Sequence, residues 1–129
     1  TATRTPARRT KATRAPRGAE PGANDTLNRR ADLVRVAARL FRERGISGVG
    51  VDALTEAAGL THGSLYSQFG SKERLAADAL SHALSTSSTR MRDARTLDDY
   101  VARYLSTDHR DRRGDGCVMA ALAGEIPRQ

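Results

Sequence analysis

The sequence predicts an all-α fold, and three observations carry that prediction. Ala, Leu, Arg and Glu recur at helical spacing, while few β-branched alternations appear. Gly45, Gly59 and Gly70 each follow a helix-like stretch, where a residue without a Cβ ends a helix most easily. The run Ala58-Gly-Leu-Thr-His-Gly-Ser-Leu-Tyr-Ser-Gln-Phe-Gly-Ser-Lys-Glu73 reads as a helix end, a tight turn, a second short helix and the start of a third.

The first helix is expected to start near Thr26 to Asn28 and to end at Gly45. Leu33, Ala37, Leu40 and Phe41 fall on one face, Val34 widens the stripe, and Arg35, Arg39 and Arg42 lie largely outside it. Ile46 and Val49 in the following connection should sit beneath the second helix, Val51 to Ala58, whose Val51, Leu54 and Ala58 face inward. Thr61 caps the third helix, His62 to Phe69, with Leu65 and Phe69 four residues apart on the buried face. Ser71 caps the fourth helix and Glu73 suits its first turn; Leu75, Ala79, Leu80 and Ala83 point to the core, and the helix extends toward Arg92. Thr96 to Asp99 opens a fifth helix, in which Leu97, Tyr100, Val101, Tyr104 and Leu105 fit the helical template. Tyr100 and Tyr104 suit core packing or an aromatic wall for a ligand, and core packing is the expectation adopted. Ser106 to Gly116 reads as a charged loop. A sixth helix begins near Cys117, carries Val118, Ala121, Leu122 and Ile126, and is broken by Pro127.

Composition narrows the function classes. The 129 residues suffice for one ordinary domain, or a small domain plus part of another, and 38% hydrophobic with 4% aromatic residues implies a modest core of Leu, Val and Ala. The net charge of +7 is unevenly placed: residues 1–30 hold 8 basic and 2 acidic side chains, leaving 14 and 13 for the remainder. Residues 1–25 contain no apolar residue larger than Ala or Pro and read as a disordered basic tail. Its role is either a solubilising extension or an arm that touches phosphates or a minor groove. No signal peptide or membrane span is evident, so a cytoplasmic location is expected. The first residue is Thr rather than Met, as expected of a processed chain or of a piece of a longer one.

The outward face of the third helix carries His62, Gly63, Tyr66 and Ser67, which are small, polar or aromatic. A short helix anchored on one face and offering hydrogen-bonding groups on the other suits reading a DNA groove. No Ser or Cys nucleophile with an orienting carboxylate surrounds His62, so no catalytic site, enzymatic activity or cofactor is expected. His109 with Asp108, Asp111, Asp115 and Cys117 lacks a ligand-like repeat and reads as a solvated charge run rather than a metal site. Cys117 cannot form an intrachain disulfide; it reads as a small core-lining residue, with a redox-sensitive thiol as the sharper alternative.

From Ala31 to Leu84 the sequence resembles the DNA-binding domain of the TetR family of bacterial transcription regulators. The matching residues are Ala37-Ala38-Arg39-Leu40-Phe41, Gly45-Ile46, Val51, Leu54, Ala58-Gly59-Leu60-Thr61, then Gly63-Ser64-Leu65-Tyr66, Phe69, Ser71-Lys72-Glu73 and Leu75. The resemblance implies a domain over 26–86, with a helix-turn-helix at about 50–69, and a partial ligand-binding and dimerisation domain over 87–129. It places His62, Gly63 and Ser67 at or near bases and Thr61, Tyr66 and Lys72 at phosphates, with Ser64 and Gln68 completing the DNA-facing set. Gly50 stands where the family usually caps the second helix with Ser or Thr, and Gln68 replaces a common His or Tyr, leaving a phosphate contact open. The segment Tyr104-Leu-Ser, His109-Arg-Asp111, Gly116-Cys117 and Leu122 to Glu125 is similar to the start of the regulatory half in one subset of the family. The chain stops at Gln129, before the two helices that usually form the family's dimer interface. The implied function is a DNA-binding regulator, a repressor that binds a palindromic double-stranded operator as a homodimer and answers to a small-molecule effector. The alternative is a truncated DNA-binding or interaction module without effector response.

Overall fold

The structure is a computed structural model and describes residues 22–125. Among these, the chain is helical throughout: α1 (Ala23–Arg44), α2 (Val51–Ala58), α3 (His62–Phe69), α4 (Lys72–Asp93), α5 (Leu97–Tyr104), α6 (Thr107–Asp111) and α7 (Val118–Leu122), with 3₁₀ turns at Arg113–Asp115 and Ala123–Glu125. The expected basic tail over residues 1–21, and Ile126 and Pro127, lie outside the described residues.

The first helix begins at Ala23, earlier than Thr26, so residues 23–25 are helix rather than tail. Local charge explains the difference. Asp25 lies in the first turn, where a carboxylate favours the helix dipole, and pairs with Arg29 one turn on at 2.9 Å. No side chain caps this end; Gly22 precedes it. The ends of α2 and α3 follow the expected glycine punctuation. Gly59 adopts φ 65° with the Leu60 amide donating to the Thr55 carbonyl, and Gly70 adopts φ 79° with its amide donating to Tyr66. Thr61 Oγ1 accepts from the Ser64 amide, and Ser71 Oγ from the Arg74 amide, as a hydroxyl at each cap should. Gly50 gives α2 no side-chain cap.

One core serves the whole described chain. Leu33, Ala37, Ala38 and Phe41 of α1 face Leu75, Ala76, Ala79 and Ala83 of α4, with Val49, Leu54, Leu65 and Phe69 closing one end. Val118 and Leu122 of α7 join the same cluster, so the segment after α4 packs back on the first helices. Gly114 makes that return possible: a Cβ there would lie 2.5 Å from the Arg39 and Glu43 side chains of α1.

Two expectations require correction. Ser106 to Gly116 is not a plain loop: Ser106 Oγ accepts from the His109 amide and caps α6, and a 3₁₀ turn follows. The α5 face is helical at the expected positions but does not enter the core. No α5 residue is buried, Leu97 and Leu105 are each 75% exposed, and Tyr100 and Tyr104 are half-buried. Periodicity records that a face is apolar; among the described residues this one is covered only in part, at Tyr100 and Tyr104, and Leu97, Val101 and Leu105 stay exposed.

Glu125 ties the end of the described chain to the loop before α2. Its carboxylate accepts from the Ile46 amide at 2.9 Å and from the Ser47 amide and hydroxyl at 3.0 and 3.3 Å. Such charge-assisted bonds stabilise only modestly when exposed. Glu125→Ala should lower the unfolding free energy by about 1–2 kcal/mol, and Glu125→Gln by less; an unchanged urea midpoint for the alanine variant would contradict this clasp.

Candidate nucleic-acid interface

Helix α3 divides into two faces as its sequence suggests. Leu65 and Phe69 are buried, while Thr61, His62, Gly63, Tyr66 and Ser67 are exposed, Tyr66 to 48%. Lys72, the first residue of α4, is half-buried just beyond the α3–α4 turn. These residues therefore lie on or next to one short element presented by the α1–α4 core.

Hydrogen bonding separates the polar groups of this helix. Ser67 Oγ donates back to the Ser64 carbonyl at 3.0 Å, a local bond that an external acceptor can replace. Gln68 is turned inward by comparison: its Nε2 donates to Ser64 Oγ at 2.9 Å, and its Oε1 is buried with no partner among the described residues. Ser64 and Gln68 thus engage each other on the flank of the helix, whereas Tyr66 and Ser67 stand outward.

Gly63 is informative because nothing in the fold demands it. A Cβ there would meet only Thr61 Oγ1, at 4.0 Å, and the residue does not adopt a positive φ. Gly63 lies in the first turn of α3, where glycine costs less than the roughly 0.5–1 kcal/mol relative to alanine of a helix interior, and no contact within the fold supplies a reason for it. Close approach of another molecule to the α3 backbone is such a reason.

One contact at this face was not legible in the sequence. His62 Nε2 lies 2.6 Å from Asp52 Oδ1, joining the first turns of α3 and α2. The pair is largely exposed, His62 to 56% and Asp52 to 90%, so its effect is on side-chain orientation more than on stability. The only available signal was that two consecutive short helices bring their N-terminal turns to the same side.

A second concavity lies at the far end of α4. It encloses about 200 Å³ and is lined in part by Arg90, Tyr100, Arg103, Tyr104, His109 and Cys117. Tyr104 stacks against His109 with ring centroids 4.7 Å apart, and against Tyr100 at 5.8 Å. Cys117 is half-buried on the wall of this cavity rather than in the core. Tyr104 and Cys117 line this cavity together, and hydrogen bonding between the hydroxyl and the sulfur is the main influence that raises the phenol above its ordinary range. Burial pushes the Cys117 thiol up, but hydrogen bonds from the Ala120 amide, the Tyr104 hydroxyl and the Met119 amide outweigh it, and the net shift is downward. Among the described residues no three His, Cys, Asp or Glu side chains are grouped to hold a metal, and no helix is long and apolar enough to cross a membrane.

Residues 33–79 match the family described as bacterial regulatory proteins, tetR family. The chain is 43% identical over 63 residues to the HTH-type transcriptional repressor KstR2 of Rhodococcus jostii (strain RHA1), covering 46% of this chain and 31% of that protein. It is 33% identical over 106 residues to the HTH-type transcriptional repressor DhaR of Mycobacterium sp. (strain GP1), covering 75% of this chain and 52% of that protein. With KstR2 of Mycobacterium tuberculosis (strain ATCC 25618 / H37Rv) it shares 37% identity over 71 residues, 55% of this chain and 36% of that one. The matched regions thus span about a third to a half of the length of these relatives. No solved structure matches the chain.

Two measurements test this geometry. Gly63→Ala should raise the unfolding free energy by less than the roughly 0.5–1 kcal/mol of a helix interior; a destabilised variant would mean that the fold itself requires the glycine. Tyr104→Phe removes a donor to the Cys117 sulfur, so the pH midpoint of Cys117 alkylation by iodoacetamide should move upward. An unmoved midpoint would contradict the bond.

Proposed function

The chain belongs to the TetR family of bacterial regulatory proteins, and on that premise we propose that it is a sequence-specific DNA-binding transcriptional repressor. The observation that carries this reading is the exposed face of α3, polar and small around a glycine that the fold does not need. A major groove is wide enough for such a helix, and phosphate contacts at its ends fix its register.

In this reading the roles divide by reach. Tyr66 donates its hydroxyl to a phosphate oxygen, and Thr61 adds a second contact at the start of α3. Lys72 sits at the N-terminus of the 22-residue α4, where unpaired amides already favour an anion. His62, Gly63 and Ser67 face the bases, with Gly63 letting the backbone come close. Ser64 and Gln68 support the helix from its flank; exchange of their mutual bond for a phosphate contact is the remaining role for Gln68. The domain limits follow the same reading, with 26–86 binding DNA and 87–129 forming the first part of a regulatory and dimerising half. The operator is then a palindrome read by two copies, its half-sites spaced by about one helical turn or a multiple of it. A small-molecule effector that favours a conformation with displaced recognition helices weakens DNA binding by the same factor by which DNA weakens effector binding.

Selection from a random duplex library tests the reading directly, because it yields the half-site and its symmetry together. On the selected duplex, Lys72→Ala should weaken binding across sequences and lower the salt slope by about one unit. Gly63→Ala should weaken binding while leaving the fold intact, and His62 or Ser67 substitutions should change base preference. No enriched duplex, or a Lys72→Ala variant with unchanged affinity and salt slope, would contradict the proposal.

A further inference from the structure

Arg30 lies in α1 and closes the basic stretch of residues 1–30, yet its guanidinium is spent on three partners inside the fold. Nη1 donates to the Gln68 backbone carbonyl at 2.5 Å, Nη2 pairs with Asp78 Oδ2 at 2.6 Å, and the guanidinium carbon lies 4.1 Å from the centroid of the Phe69 ring. Two of these partners are the last two residues of α3, and the third is in the second turn of α4.

Each contact answers a need of α3. The final carbonyls of a helix lack intrahelical donors and carry the negative end of its dipole, so a cation there is favourable. Helix α3 has no basic residue in its own last turn. Its end is reversed at once by Gly70, which leaves no further helical turn to protect the Gln68 carbonyl. Arg30 supplies the missing donor and charge from α1. The planar guanidinium can bond forward to a carbonyl, sideways to a carboxylate and stack on a ring simultaneously, which a Lys ammonium cannot do.

We infer that Arg30 is a positioning residue for the recognition helix, locking the C-terminal end of α3 to the α1–α4 pair. Its effect on DNA rests on the DNA-binding reading above; its hold on α3 does not. The N-terminal end of α3 is fixed by the short turn from α2, and the buried face by Leu65 and Phe69. Those anchors leave the helix free to pivot about its core contacts, and the Arg30 lock removes that freedom. Arg30 acts through Gln68, Phe69 and Asp78 and touches no DNA in this role.

The test combines two readouts on the 129-residue chain. Arg30→Met keeps an unbranched stem over Phe69 and removes the charge and both bonds. In hydrogen exchange, the amides of residues 66–70 should exchange about tenfold faster relative to those of α2, whereas a general loss of stability would speed both alike. On the best duplex from random selection, affinity should fall about tenfold with the salt slope unchanged. A slope reduced by about one unit would make Arg30 a direct phosphate contact and overturn the inference. Unchanged relative exchange in α3 would overturn it as well. If the wild-type chain selects no duplex, the DNA-binding reading fails, and the exchange ratio alone decides the lock. Should Arg30→Met not fold, Asp78→Asn carries the test: a rise of about threefold in the same exchange ratio supports the lock, and no change refutes it.

Discussion

An eight-residue helix is too short to persist in water by itself, because nucleation costs more than one or two turns of hydrogen bonds return. Helix α3 therefore depends on being held, and much of the surrounding structure can be understood as the holding. The Gly59 turn and the Thr61 cap define where it begins. Leu65 and Phe69 fix which face is inward, and Arg30 meets its far end. Every restraint acts from the buried side or from an end. Apart from the Thr61 cap and the His62–Asp52 pair, the exposed face carries little structural duty, and its residues can be chosen for what they contact.

The support for these restraints is the α1–α4 pair, and that pair is not confined to the expected DNA-binding domain. Val118 and Leu122 of α7 enter the same core, Gly114 lets a 3₁₀ turn sit against α1, and Glu125 holds the loop before α2. Helix α4 continues unbroken past residue 86 to Asp93, where the cavity with Tyr100, Tyr104 and Cys117 lies. Helix α4 thus joins that cavity to the core on which α3 rests. The near neutrality of the chain beyond residue 30 places a further condition on function. On the DNA-binding reading proposed above, affinity for a polyanion then rests on the placement of individual groups, Lys72 and Tyr66 among them, rather than on net charge.

How far all this could be read from the sequence depended on distance along the chain. Gly59, Thr61, Leu65, Phe69 and Ser71 announce their roles because each acts within about one helical turn of itself. Asp25 acts locally too, but through its charge rather than as a cap. Arg30 reaches partners 38 and 48 residues away, and Glu125 reaches back 79. No local pattern marks such a side chain, and a charge count over residues 1–30 does not separate Arg30, in the expected first helix, from the basic residues of the tail. The α5 face shows the opposite limit. Its apolar spacing was legible, but spacing cannot say whether a partner surface is present to cover it.

On the function proposed above, the outward face of α3, held by α1 and α4, is the surface that meets DNA. A backbone amide chemical-shift map of the isotopically labelled chain, taken while a library-selected duplex is added, addresses that claim residue by residue. The largest shifts are expected at Thr61 to Ser67 and at Lys72, with α5 and α6 little changed. Shifts concentrated in residues 97–111 with α3 unmoved would contradict it.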